Sequence, residues 1–225
     1  MRFRAVAFDV DGTLYPNSLM YLASVPFVLT RPRLMLAFRS VRRELRSVRP
    51  IDDLYRRQAE MLAAELGIDT AVAADRIRRR IYPGAERVLS VVPRFPGVRA
   101  TVEAFRHAGI RVGLLSDFPI GRKLERLGLT DLFDVQVEAE AVGYLKPNPE
   151  PFERLLAELG TPAAETLYVG NNHAYDVVGA RAVGMHTAHL TLSPAPDDPA
   201  DVCFFSYRKL TRWVLDGQIG PENSN

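Results

Sequence analysis

The sequence predicts an α/β fold in which a doubly wound parallel sheet carries a helical domain inserted after its first strand. Apolar segments typical of buried strands alternate with amphipathic helical segments in residues 1–14 and 95–225. Residues 15–94 lack this alternation, and their apolar residues recur at helical spacing only. We therefore expect an α/β core domain formed by residues 1–14 and 95–225, and a separate helical domain formed by residues 15–94.

The predicted core begins with a strand and then alternates between helices and strands. Strands are predicted over 4–9, 110–116, 133–138, 166–170, 185–190 and 202–205. Helices are predicted after the turn at 95–97, over 120–127, from Asn148 to Gly160 and over 174–183. Asn148 is a predicted N-cap, and Pro149 occupies the first helical position. Because the strands are apolar throughout, helices should cover both faces of the sheet. The polar segment 217–225 is expected to fray.

The inserted segment is predicted to contain three helical runs. Apolar residues recur at helical spacing over 34–45 and 54–66, and a third run extends from Thr70 to about Arg80. Gly67 stands where the second helix should end. Residues 30–87 hold 14 Lys and Arg against 8 Asp and Glu, so this part of the chain is strongly basic. We interpret its arginines as a solvated helix face.

Composition excludes several classes of protein. The chain has 225 residues, of which 47% are apolar and 25% charged, as is typical of a globular protein. Its formal net charge of +2 gives no reason to expect a nucleic-acid partner. Cys203 is the one cysteine, which excludes an intrachain disulfide and favours a reducing compartment. The N-terminus does not resemble a signal peptide, and the apolar segment 19–29 is too short to span a bilayer. We expect a cytoplasmic protein without stable membrane insertion.

Polar residues of four segments should meet at the carboxyl edge of the predicted sheet, where ligands bind in such folds. All of them directly follow a predicted strand or lie close to the start of a helix. They are Asp9 and Asp11, Ser116 and Asp117, Lys146, and Asn171, Asn172 and Asp176. The set suits phosphoryl transfer. One carboxylate could attack phosphorus, and another could act as general acid and base. Hydroxyl and ammonium groups could hold the phosphoryl oxygens, while carboxylate and amide oxygens suit Mg²⁺.

The sequence resembles the haloacid dehalogenase superfamily in four segments, which occur in the order of that family. The segments are FDVDGTL at 8–14, LLSD at 114–117, VGYLKPNPEPF at 142–152 and YVGNN…D at 168–176. The resemblance implies a Rossmann-like core, with residues 15–94 as the α-helical cap of the family's first cap class. Dehalogenases of the family lack the second aspartate of the first segment. Asp11 therefore favours a phosphate-ester hydrolase or a phosphomutase.

The resemblance also implies a role for each matching residue. Asp9 would be the nucleophile, and Asp11 would be the general acid and base. The implied phosphate-binding residues are Ser116, Asp117 and Lys146. The implied Mg²⁺ ligands are Asp9, Asp11 through its backbone carbonyl, Asn171 and Asp176.

One position departs from the pattern of the family. The last segment usually begins with Gly-Asp, whereas here it begins with Gly170-Asn171. Asn171 can offer an oxygen to Mg²⁺ but no charge, so we expect weaker metal binding with activity retained. Asp117 stands where the family more often has Asn. It either replaces part of the lost charge or points away from the site.

These observations predict a Mg²⁺-dependent phosphatase that hydrolyses a small phosphorylated metabolite through an aspartyl-phosphate intermediate. A sugar phosphomutase is an alternative, because it would use the same pair of aspartates. A non-catalytic binding or regulatory protein is a second alternative, because of Asn171. A third is a membrane-surface or partner-binding protein that uses the basic, apolar insert. We expect a monomer or homodimer. His173, His186 and His189 are expected to be structural or surface residues, because the sequence pattern offers them no metal-ligand partners.

Overall fold

The computed structural model describes residues 2–217. Six strands in this range form one sheet, and all of their pairings are parallel. Strands β1 to β6 comprise Ala5–Phe8, Arg111–Ser116, Val135–Glu138, Thr166–Gly170, His186–Leu190 and Val202–Phe204. Their order in the sheet is β3-β2-β1-β4-β5-β6. The chain runs outward from β1 to β3 and then returns to place β4 on the other side of β1. This topology confirms the predicted doubly wound α/β fold, with its switch point at β1.

The segment between β1 and β2 begins with five helices and contains no strand from Asn17 to Leu89. Helices α1 to α5 comprise Asn17–Leu29, Pro32–Leu45, Leu54–Leu66, Thr70–Arg76 and Tyr82–Leu89. A π-helical turn over Ile77–Ile81 joins α4 to α5, so the third helical run continues beyond the predicted end at Arg80. Pro83 accounts for the wide turn. It lacks an N–H, and its ring would clash with the carbonyl four residues earlier in a regular α-helix.

Six further helices complete the part of the chain that the structure describes. Helices α6 to α11 comprise Val98–His107, Lys123–Leu127, Ala139–Val142, Pro149–Leu159, Val178–Ala182 and Tyr207–Asp216. Helix α7 begins at Lys123, three residues later than predicted. A π-helical turn over His173–Val177 precedes α10, so the predicted helix at 174–183 is regular only in its second half. The side chain of Asn148 does not cap α9, because its amide donates to the carbonyls of Leu145 and Arg46.

Helix α11 was not predicted from the sequence, although it buries an apolar face. Its inward residues are Tyr207, Leu210, Trp213 and Val214. They pack on the same side of the sheet as α6. The expected fraying of the tail concerns residues 218–225 beyond Gly217, which lie outside the described part of the chain.

Alternate residues of β1 pack into two different hydrophobic clusters, one on each face of the sheet. Val6 and Phe8 belong to the cluster that contains α6 and α11. Ala5 and Ala7 belong to the cluster that contains α9. All four side chains are fully buried, as the prediction of a sheet covered on both faces requires. The first carboxylate of the chain, Asp9, therefore appears directly where β1 leaves this core.

The inserted helices have a hydrophobic cluster of their own. It comprises Leu34, Ala37, Phe38, Val41, Ala59, Leu62, Ala63, Ala73, Ile77 and Ile81. Phe118, from the loop after β2, packs against this cluster, while Leu45 and Leu54 pack with the α9 side of the core. The inserted helices therefore contact the core next to the carboxyl end of β2. Within residues 2–217, every helix is too short or too polar to cross a membrane.

Candidate active site

The carboxyl ends of β1, β2 and β4 bring most of the predicted site residues to one edge of the sheet, where they form hydrogen bonds around Asp9 and around Asp11. Asp9 follows β1, Ser116 ends β2, and Asn171 follows β4. Lys146 lies between α8 and α9, and its side chain reaches Asp9. Because the three strands are parallel, their polar extensions emerge at the same edge of the sheet, as the sequence predicts.

Asp9 is held between an ammonium group and a hydroxyl. Its Oδ1 accepts a hydrogen bond of 2.7 Å from Lys146 Nζ, and its Oδ2 accepts one of 2.8 Å from Thr13 Oγ1. Burial raises the pKa of Asp9 to about 7, because the stabilising charge of Lys146 is opposed by repulsion from Asp176 and Asp11. A further positive charge beside Asp9 would therefore be needed to keep it fully ionised at neutral pH.

Lys146 connects Asp9 to Asp176. Its Nζ lies 2.6 Å from Asp176 Oδ1 and donates to the hydroxyl of Tyr168 over 3.1 Å. Burial lowers the pKa of Lys146, but the two carboxylates outweigh burial and hold it well above its ordinary value. The other oxygen of Asp176 accepts from the backbone N–H of Asn172 at 2.9 Å. Gly170 is required in this arrangement, since a Cβ there would collide with the side chain of Asp176.

Asp11 has a different set of partners from Asp9. Lys123 Nζ lies 2.7 Å from Asp11 Oδ1 and 2.8 Å from its Oδ2. The hydroxyl of Tyr15 donates to Oδ1, and that of Ser116 donates to Oδ2 over 3.3 Å. Burial alone would raise the pKa of Asp11, but the charge and hydrogen bonds of Lys123 hold it below its ordinary value.

Asn171 lies beside Asp9 at the end of β4. Its Oδ1 is 3.3 Å from Thr13 Oγ1, the same hydroxyl that donates to Asp9. The single proton of Thr13 can serve only one of these two oxygens at a time. Gly12 has a φ of 94°, and a Cβ at this position would collide with the amide groups of Asn17 and Asn171. Glycine therefore permits both the left-handed turn and the close approach of the two loops.

The donor set of this group suits a hard divalent cation. It offers carboxylate oxygens of Asp9 and Asp176 and the amide oxygen of Asn171. Asp176 and Asn171 both lie beside Asp9, since Lys146 joins Asp9 to Asp176 and Thr13 joins Asp9 to Asn171. Oxygen ligands of this kind are those that Mg²⁺ prefers. The chemistry of the side chains therefore fits the predicted metal.

Asp117, a predicted phosphate-binding residue, has partners on both of its carboxylate oxygens. Its Oδ1 accepts from the backbone N–H of Lys146 at 3.0 Å, and its Oδ2 pairs with Arg46 at 2.7 Å. Burial raises the pKa of Asp117, but Lys146 and Arg46 together hold it below its ordinary value. Both oxygens are thus engaged away from Asp9, and an anion would repel phosphate. The geometry supports neither phosphate binding by this side chain nor replacement of the charge absent at Asn171. Asp117 instead positions the backbone of Lys146.

Arg42 is buried, which corrects the interpretation of the arginines as a solvated face at this position. It pairs with the buried carboxylate of Glu140, and its Nη2 donates to the backbone carbonyl of Asp117 over 2.7 Å. Its Nη1 also donates to the side-chain oxygen of Gln58, 3.0 Å away. Together with Arg46, it extends from α2 to the loop after β2. Two basic residues of the insert therefore contact the backbone that positions the site.

Several residues of the group were not singled out from the sequence: Thr13, Tyr15, Lys123, Tyr168 and Arg46. Thr13 lies within the segment FDVDGTL and Tyr15 directly follows it, so their proximity to Asp9 and Asp11 in the chain was a usable signal. Lys123 belongs to a short helix, and no spacing in the sequence distinguished it from the other basic residues. Its contact with Asp11 depends on how α7 packs at the edge of the sheet.

Comparison with known proteins shows the family of the chain. The chain matches the family model described as haloacid dehalogenase-like hydrolase over residues 3–184. It is 27% identical over 202 residues to glyceraldehyde 3-phosphate phosphatase of Methanopyrus kandleri, with 83% of each protein covered. It is 32% identical over 143 residues to haloacid dehalogenase-like hydrolase domain-containing protein 3 of Bos taurus. That alignment covers 60% of this chain but only 54% of the bovine protein, so the chain spans about half of that relative.

A solved structure has a similar fold over most of the chain. The L-2-haloacid dehalogenase of Xanthobacter autotrophicus with covalently bound chloropropionic acid superimposes with a TM-score of 0.67 at 21% identity. The match covers 94% of this chain and 98% of that one, and at this identity it concerns the fold alone. The family match over most of the chain, together with the site at the end of β1, shows that this protein belongs to the haloacid dehalogenase-like hydrolases.

Proposed function

We propose that this chain is a Mg²⁺-dependent phosphatase that hydrolyses a small phosphorylated metabolite, with Asp9 as the phosphorylated residue. The observation that carries the proposal is that Asp9 and Asp11 have different hydrogen-bond partners. Asp9 lies among Lys146, Asp176 and Thr13, whereas Asp11 faces Lys123, Tyr15 and Ser116. Two carboxylates with such different surroundings can perform different steps. The similarity to a phosphatase of M. kandleri also favours a phosphate ester as the substrate.

In the first step, an oxygen of Asp9 attacks phosphorus and the bond between phosphorus and the ester oxygen breaks. Asp11 gives its proton to the departing oxygen, so that an alcohol leaves. In the second step, water attacks the phosphoryl group and Asp11 takes a proton from it. The bond from phosphorus to Asp9 then breaks, which restores the carboxylate and releases inorganic phosphate.

The proposed reaction requires substrate and metal to change the protonation of both aspartates. Asp9 must be ionised to attack, yet its pKa is raised; Asp11 must first be protonated, yet its pKa is lowered. Mg²⁺ bound by Asp9, Asp11, Asn171 and Asp176 would supply positive charge that keeps Asp9 ionised. An incoming phosphoryl anion would share the charge of Lys123 and repel the Asp11 carboxylate, which raises the pKa of Asp11. Substrate binding thereby favours the protonated form that the first step needs.

The helices within residues 15–94 would act as a cap over the carboxyl edge of the sheet. This part of the proposal is supported by Arg42 and Arg46, which reach from α2 to Asp117. Phe118 supports it too, because this residue of the loop after β2 packs against the hydrophobic cluster of the insert. A cap in this place would exclude water during phosphoryl transfer and limit the size of the substrate.

The experiment measures phosphate release from p-nitrophenyl phosphate and from a panel of phosphorylated metabolites, with Mg²⁺ and after its removal by a chelator. Acid-quenched samples are digested and searched by mass spectrometry for a phosphoryl group on the peptide that contains Asp9. We expect Mg²⁺-dependent turnover, with oxygen from labelled water in the released phosphate. Transfer to a sugar hydroxyl instead of water would identify a phosphomutase. Absence of turnover and of Mg²⁺ binding would identify a binding protein and overturn the proposal.

A further inference from the structure

His189 and Cys203 lie side by side on the last two strands of the sheet. In the parallel pair formed by β5 and β6, His189 is in register with Cys203. Residues in register point to the same face of a sheet, so the imidazole and the thiol are neighbours. Asp198 lies in the loop that connects the two strands, and its side chain contacts His189. Each of His189, Asp198 and Cys203 offers one possible ligand atom, and these three atoms lie within 4.8 Å of one another.

The orientation of the imidazole is set by hydrogen bonds at both of its nitrogens. Nδ1 lies 2.5 Å from Asp198 Oδ2, and Nε2 lies 3.3 Å from the backbone carbonyl of Asn171. Both neighbours are oxygen acceptors, so a metal ion that binds Nδ1 must take the place of the proton that this nitrogen donates to Asp198. The other oxygen of Asp198 accepts from the N–H of Ala200 at 3.0 Å. Both groups are well shielded, since His189 is 8% exposed and the side chain of Asp198 is 4% exposed.

We propose that His189, Asp198 and Cys203 form a second metal site, which takes a borderline-soft divalent ion of the Zn²⁺ type and is separate from the predicted Mg²⁺ site. An imidazole nitrogen, a carboxylate oxygen and a thiolate sulfur are all ligands of Zn²⁺, whereas a thiolate is a poor ligand for Mg²⁺. Three protein ligands leave a fourth tetrahedral position. Cys203 is half-buried, so part of the cluster is accessible to solvent.

The hydrogen bond from Nε2 strengthens the proposal. Histidines that bind metals commonly donate their second ring N–H to a carbonyl or carboxylate, which orients the ring and makes the ligating nitrogen more basic. Here the acceptor is the carbonyl of Asn171, the residue that stands at the departure from the family's usual Gly-Asp. An ion at this site would therefore hold the loop after β4, as well as closing the loop between β5 and β6.

Metal binding at this site must release a proton from Cys203. Burial and the neighbouring Asp198 raise the pKa of Cys203 to about 11, so the thiol is protonated when no metal is bound. Burial raises the pKa of Asp198, but the Ala200 N–H and His189 hold it below its ordinary value. The carboxylate is thus ready to bind, and the thiol becomes a ligand only when the ion displaces its proton.

The test uses Cys203 as its own reporter, because the chain has one cysteine. Reduced, metal-free protein is titrated with Co²⁺ while the thiolate-to-metal charge-transfer absorption is recorded, and Zn²⁺ is then added to displace the Co²⁺. In parallel, alkylation of Cys203 by iodoacetamide is timed with Zn²⁺ and with Mg²⁺. We expect one Co²⁺ per chain. When Zn²⁺ exceeds its Kd about tenfold, alkylation should slow about tenfold, because the rate follows the metal-free fraction. Mg²⁺ should not slow it.

Variants distinguish metal binding by all three residues from metal binding by the Cys203 thiol alone. Cys203→Ser should abolish the charge-transfer band, and His189→Gln and Asp198→Asn should each weaken Co²⁺ binding by about 10- to 100-fold or more. His186→Gln is the matched control, since His186 lies on the same strand and pairs with Asp201 at 2.7 Å without a thiol nearby. Absence of the band in the native chain would overturn the proposal. So would a band of equal affinity in both His189→Gln and Asp198→Asn, which would identify adventitious binding to the thiol. Slower alkylation of the native chain with Zn²⁺ than with Mg²⁺ is required even if a variant fails to fold, and its absence would overturn the proposal.

Discussion

The ammonium group of Lys123 lies within 2.8 Å of both carboxylate oxygens of Asp11. This contact compensates the negative charge of Asp11, which is only two positions from Asp9 in the chain. Lys123 lies on α7 after β2, whereas the cation beside Asp9 is Lys146 from the loop before α9. Each of the two aspartates therefore has its own cation, supplied by a different part of the chain.

Replacing Lys123 tests whether this cation controls the proton on Asp11. In Lys123→Met the positive charge that lowers the pKa of Asp11 is lost, so that pKa rises. Protonated Asp11 then persists to higher pH, and the alkaline limb of the kcat/KM profile should move to higher pH. The measurement is the pH dependence of the hydrolysis of an alkyl phosphate, because its leaving group needs the proton of Asp11. Arg122→Met is the control, because Arg122 pairs with Glu125 at the surface of the same region. An alkaline limb that stays in place would show that Lys123 does not set this pKa.

Asp9→Asn should abolish turnover, because an amide oxygen cannot form the acyl phosphate that the proposed reaction requires. Lys146 keeps Asp176 as a partner in this variant, so the fold should survive. Phosphate release and mass spectrometry of acid-quenched samples are the measurements, with thermal unfolding as the check on folding. Substantial activity, once deamidation and contaminating phosphatases are excluded, would refute the role of Asp9 as nucleophile.

Asp11→Asn should retain the nucleophile but lose the proton transfer. General acid–base catalysis contributes about 10²- to 10⁴-fold, so kcat should fall by about that factor. The loss should be smaller for p-nitrophenyl phosphate than for an alkyl phosphate, because p-nitrophenolate leaves without needing a proton. Equal losses for both substrates would indicate that Asp11 acts through the structure of the loop instead.

Asn171→Asp should tighten Mg²⁺ binding, because a charged carboxylate oxygen replaces an amide oxygen of the same shape. Asp176→Ala should weaken Mg²⁺ binding. The Mg²⁺ dependence of activity, or calorimetry with Mg²⁺ alone, is compared for these variants and the native chain. Turnover need not rise in Asn171→Asp, since the added charge also repels the phosphate dianion. An unchanged Mg²⁺ dependence in Asn171→Asp would show that Asn171 is not a metal ligand.

Glu140→Ala should destabilise the protein strongly. Glu140 is buried and pairs with Arg42, itself only 5% exposed. Removing one partner of a buried ion pair costs about 3–5 kcal/mol, because the other charge is left buried without compensation. The free energy of unfolding in urea is the measurement. Glu60→Ala removes surface pairs with Arg56 and Arg57 and should change it by less than about 1 kcal/mol. Similar losses in both variants would contradict a special role for the buried pair.

Much of the fold was predictable because its signals are local. Apolar strands of three to six residues and amphipathic helices have different periods, so the six strands and the helical insert could be assigned from the sequence. Helix α11 was not predicted, although its buried residues recur at helical spacing: Tyr207, Leu210, Trp213 and Val214. The order of the four matching segments also indicated Asp9, Asp11, Ser116 and Lys146, since parallel strands deliver their ends to one edge of the sheet.

The sequence by itself therefore determined the α/β class, the helical nature of the insert and the meeting of four polar segments at one edge. Only the tertiary structure decided which side chains engage one another there. Successive residues of an extended chain point in opposite directions, so Ser116 reaches Asp11 while Asp117 turns to Arg46 and the backbone of Lys146. The pairs Lys123–Asp11, Arg42–Glu140 and His189–Cys203 depend on the packing of helices and the register of strands. Such contacts join residues that are distant along the chain, and local periodicity carries no information about them.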